Sequence, residues 1–74
     1  MTRKDYVEIA AVLHAERQAI TAENDGPQGR PFALQALRTV ERIEQSLCVL
    51  FLADNPLFDP KRFRLASGGR ISNA

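Results

Sequence analysis

Along residues 3 to 22, apolar side chains recur at steps of three and four. Tyr6, Ile9, Ala10, Leu13 and Ile20 fall on one face, with Lys4, Glu8, Ala15 and Gln18 opposite, which predicts an amphipathic helix. Thr2, followed three residues later by Asp5, supplies a capping-box start, and an acid in the first turn suits the helix dipole. Arg17 interrupts the apolar stripe. Its stem can lie along the core with the guanidinium turned to solvent; the alternative is an ion pair with Glu41 or Glu44.

"ENDGPQGRP", residues 23 to 31, holds two glycines and two prolines in nine positions and reads as a linker longer than the usual helix connection. A second helix is predicted from Phe32 to Asn55, where Pro56 pushes the preceding residue out of helical geometry. Ala36, Val40, Ile43, Leu47 and Leu50 form its apolar stripe, flanked by Ala33, Leu37 and Phe51, while Arg38, Glu41, Arg42 and Gln45 face away. Beyond Ser46 the polar side fails, because Val49 and Leu52 point where Arg38 and Arg42 point earlier. That end requires a cover.

"ADNPLFDPKRF", residues 53 to 63, predicts one. With Asp59 as N-cap, Pro60 takes the first helical position, and Phe58 and Phe63 occupy the N′ and N4 positions of a hydrophobic staple. Gly68 then serves as the C′ residue. This third helix, residues 60 to 67, is expected to fold Leu57, Phe58, Phe63 and Leu65 back over Val49, Leu52 and the Tyr6 end of the first helix. The predicted fold is all-α: an antiparallel two-helix hairpin with a short third helix packed across one end. Residues 1–68 form the single domain, and 69–74 are expected to be a flexible tail.

A chain of 74 residues buries little apolar surface, so self-association is expected. A homodimeric four-helix bundle would hide Val49, Leu52 and Cys48. Cys48 is the only cysteine and has no internal disulfide partner, which suits a reducing cytoplasm. No secretory h-region follows "MTRKDYVEIA", and the longest apolar run, "LCVLFLA", is about a third of the ~20 residues of a membrane span. No membrane partner is expected.

Groups able to do chemistry lack company. His14 has Ala10, Ala11, Arg17 and Gln18 at helical neighbour positions, so no metal site and no cofactor is predicted. Cys48 has no evident base, and Ser46 and Ser67 have no triad-like partners. Glu41 and Glu44 lie three residues apart, but interleaved Arg38 and Arg42 make solvated ion pairs the expected outcome. No phosphate-loop spacing occurs among the glycines. The chain is therefore not expected to be an enzyme.

The net charge is +1, yet it is unevenly spread. Residues 59–74 hold Lys61, Arg62, Arg64 and Arg70 against Asp59 alone, a local excess of +3. These four side chains are the candidate phosphate contacts of a nucleic-acid-binding reading. No aromatic platform or helix-turn-helix spacing accompanies them. The favoured reading is a protein partner, met by Val49 and Leu52 together with Lys61, Arg62 and Arg64.

"MTRKDYVEIA" (1–10) and "ADNPLFDPKRF" (53–63) resemble the two ends of a group of small phage- and prophage-encoded proteins. Members start Met-Thr-Arg-Lys-Asp-Tyr and close with Asn-Pro-x-Phe-Asp-x-x-Arg-Phe; the match covers about a third of the chain. Many continue into Ala-Cys-Gly, where this chain reads Ala66-Ser67-Gly68, so a role for that thiol does not carry over. The resemblance implies an accessory protein in the bacterial host cytoplasm that binds a host or phage protein, inhibition of a defence system being one form, or nucleic acid.

Overall fold

The computed structural model describes residues 1–69. Three helices follow in order: α1, Arg3–Glu23; α2, Arg30–Asp54; and α3, Pro60–Ala66. The all-α hairpin with a short third helix is the observed architecture, and α3 packs on both longer helices. Of the tail expected at 69–74, Gly69 is described and bonded to the end of α3, while 70–74, with the candidate Arg70, lie outside the described residues.

Each boundary has a local cause. Thr2 and Asp5 close a capping box: the Thr2 N–H donates to Asp5 Oδ2 at 2.8 Å, and the Asp5 N–H to Thr2 Oγ1 at 3.4 Å. The Thr2 N–H, foremost, and the Thr2 hydroxyl, which donates to Asp5 Oδ2 at 3.1 Å, hold the Asp5 carboxyl below its ordinary range. Asp59 Oδ1 accepts from the Lys61 and Arg62 N–H groups at 3.1 and 3.2 Å, capping α3 as predicted. Gly68, at φ +80°, and Gly69 close α3 in a Schellman motif, donating to Leu65 O and Arg64 O at 3.1 and 2.8 Å.

The linker is shorter than the nine residues expected. Arg30 and Pro31 fit the first turn of α2, where a proline loses no intrahelical bond, leaving only 24–29 between the helices. Gly29 is needed there: a Cβ would sit 2.6 Å from Asn24 O.

Ala10, Leu13, Ile20, Val40, Cys48, Phe51, Phe58 and Phe63 form the buried core. Its centre is aromatic. Tyr6 lies 4.9 Å from Phe51 and 4.8 Å from Phe58, and Phe63 lies 5.4 and 5.7 Å from the same two rings. Such tilted pairs add about 0.5–1.5 kcal/mol each beyond burial. Phe58 against Phe63 is the predicted staple. The two segments that carry the resemblance are thus neighbours in space, joined through this cluster.

Two packing expectations fail. The buried face of α2 runs through Val40, Glu44, Cys48 and Phe51, not through Ile43 and Leu50, which are 48% and 61% exposed. α3 also does not cover Val49 and Leu52: both are exposed, as are Leu57 and Leu65. Glu44 lies inside the packed face, so that face is rotated away from the purely apolar stripe.

Candidate functional site

The least expected feature is a buried polar cluster joining all three helices. Arg17 projects from α1 into the hairpin, with 13% of its side chain exposed, and Glu44 of α2 has 3%. Arg17 Nη1 donates to Glu44 Oε2 at 2.6 Å and to the Ser67 carbonyl at 2.7 Å. Ser67 Oγ bonds to Glu44 Oε2 and lies 3.0 Å from the Arg64 carbonyl. Arg64 Nε approaches Glu44 Oε1 to 3.9 Å. A buried charge persists only when paired and hydrogen-bonded, and here every member has partners.

The Arg17 side chain does not snorkel to solvent, and Glu44 does not join a solvated array with Arg38 and Arg42. The ion-pair alternative, Arg17 with Glu44, is the one formed. Ser67 is fully buried and Glu44 nearly so, which closes this hydroxyl and carboxylate to substrates. The cluster acts as a latch: it ties the last turn of α3 to the hairpin. Glycine at 68 and 69 lets that turn come close, since a Cβ would lie 2.9 Å from the His14 ring or 2.8 Å from Glu44 Oε1.

With α3 latched, a cleft of about 280 Å³ opens between its other side and the start of α1. Tyr6, Val7, Phe58 and Phe63 supply apolar walls, and Arg3 and Arg62 supply positive charge. Leu57, 91% exposed, stands at its lip. The Tyr6 hydroxyl is buried without a hydrogen-bond partner among the described residues.

The candidate residues divide among different surfaces. Arg62 joins Arg3 at the cleft, and Lys61 is exposed on α3. Arg64 leans toward Glu44 with 40% of its side chain still exposed. Val49 and Leu52 are exposed on α2, and neither lines the cleft. Cys48 is buried; burial pushes its thiol above its ordinary pKa, partly offset by the nearby positive charge of Arg64. His14 lies exposed beside Gly68. Among the described residues no three metal-ligating side chains cluster, and no helix is long and apolar enough to cross a membrane.

Sequence reasoning missed Arg3 as a companion of Arg62. The two are 59 positions apart, and only the docking of α3 on α1 brings them to one cleft. Comparison with protein-family models, with curated proteins and with solved structures returns no match.

Proposed function

We propose that the chain is a phage- or prophage-type accessory protein that works in the bacterial cytoplasm by binding another protein, without catalysis. One observation carries this reading: among the described residues, eleven large apolar side chains are exposed, against eight apolar residues buried in the core. Exposed apolar surface on this scale favours burial against a partner. The α1–α3 cleft is the target-facing site. Its apolar walls, the protruding Leu57 and the Arg3 and Arg62 guanidiniums suit an apolar anchor beside a carboxylate. A host or defence protein presenting such a pair is the proposed target.

The nucleic-acid reading is weaker on geometry, because Arg64 is half-buried and leans toward Glu44, leaving Lys61 and Arg62 as the more exposed cations of α3. Capture from bacterial lysate with and without nuclease separates the two. A dominant, nuclease-resistant protein supports the protein-partner reading. Recovery that nuclease abolishes, falling steeply with salt, supports nucleic acid instead.

A further inference from the structure

α3 covers only one side of the hairpin. It sits on the Tyr6, Ala10 and His14 side of α1 and on the Glu44 and Cys48 side of α2. The 100° step per residue places Ile9 on the opposite flank of α1, and Phe32, Ala36, Ile43, Leu47 and Leu50 on the opposite flank of α2. In α2 these recur at steps of four, seven, four and three, the spacing of a helix-packing seam. Phe32, Ile43 and Leu50 are 72%, 48% and 61% exposed. Ile9, Ala36 and Leu47 are half-buried, packed on one side against the core of their own chain, and form the floor between these exposed residues.

We infer that a second copy of this chain covers the open face, forming a symmetric four-helix core with one α3 on each outer side. Three observations select that occupant. The first is area: with Val12 at its edge, the face offers on the order of 500 Å² of apolar surface, at the upper end for a monomer patch. Its polar rim brings it near the ~800 Å² that each partner buries in a standard interface.

The second is charge. The outer edge of the face on α1 carries Asp5 and Glu16, whereas the outer edge on α2 carries Arg42 with Thr39 and Ser46. Arg17 meets Glu44 across the antiparallel pair, so Glu16 and Arg42 stand near the same level. A two-fold axis parallel to the helices lays α1 of one copy over α2 of the other with levels preserved. Glu16 then meets Arg42 of the second copy, twice. Rotation about the perpendicular axis stacks α1 on α1 and sets acidic edges together, so the charge pattern selects the first arrangement. Neither Glu16 nor Arg42 forms an ion pair with another described residue within the chain.

The third is the core: eight buried apolar residues with six more only partly covered around them are little for a chain that stands alone. The interface leaves the α1–α3 cleft open and does not depend on the proposed target, because it is read on the pure chain.

Sedimentation equilibrium of the full chain tests it, with circular dichroism confirming that each variant remains helical. A mass of about 17 kDa is expected at micromolar concentration, twice the 8.3 kDa of one chain. Ile43→Asp and Leu50→Asp should each shift it to the monomer. Glu16→Arg and Arg42→Glu should each weaken association about tenfold, and the double reversal should restore it. A monomer at every concentration overturns the inference, as does a dimer indifferent to Ile43, Leu50 and both charge reversals.

Discussion

Arg17 Nη1 and Glu44 Oε2 lie 2.6 Å apart across 27 residues of sequence, and Ser67, another 23 residues on, bonds to both. This contact fixes how α1, α2 and α3 meet. Removing one partner leaves a buried charge uncompensated, so Glu44→Ala should cost about 3–5 kcal/mol in urea unfolding. Arg17→Met with Glu44→Leu should recover most of that loss. A cost below about 0.5 kcal/mol for Glu44→Ala would show that water reaches the cluster.

Phe63→Ala should cost about 3–4 kcal/mol, since it empties the staple and the aromatic centre together. Thermal unfolding followed by circular dichroism measures it. An unchanged midpoint would mean that α3 is not docked as described.

These two positions differ in how far the sequence reveals them. Phe63 was legible because caps and staples are local: Asp59, Pro60 and Phe58 fix its role within six residues. Arg17 was visible only as an interruption of a stripe, with Glu44 as one of two possible partners. Whether a charge points inward depends on what it meets across the fold, which periodicity does not encode. The buried face takes in Glu44 and leaves Ile43 and Leu50 exposed. Periodicity ranks apolar positions, whereas the packed face is set by the whole interlocking set.

Tyr6→Phe should be neutral or stabilising by about 1 kcal/mol, because the hydroxyl is buried and unpaired while the ring keeps its contacts with Phe51 and Phe58. Loss of more than about 1 kcal/mol would show that the hydroxyl has a partner in solution.

Two titrations report on the start of α1 and on the core. Asp5, lowered by its bonds to Thr2, contributes stability that is present above its ordinary value of 3.8 and lost as pH falls through its folded value. The stability gap between wild type and Asp5→Asn should therefore narrow in acid, and the carboxyl should titrate below 3.8 by NMR. Cys48 behaves in the opposite sense: its stabilising contribution is present below 9.0 and is lost as pH rises through its raised folded value. Wild type should lose stability in that alkaline range relative to Cys48→Val. A constant gap would mean that the thiol is solvated.

The binding function is tested most directly by capture from bacterial lysate with wild type, Leu57→Asp and Arg62→Glu side by side. Both substitutions sit at the exposed cleft and should leave the helical spectrum intact. The expected result is one dominant protein that survives nuclease, disappears with Leu57→Asp and weakens with Arg62→Glu. No retained protein, or retention unchanged in both variants, would contradict binding through the α1–α3 cleft.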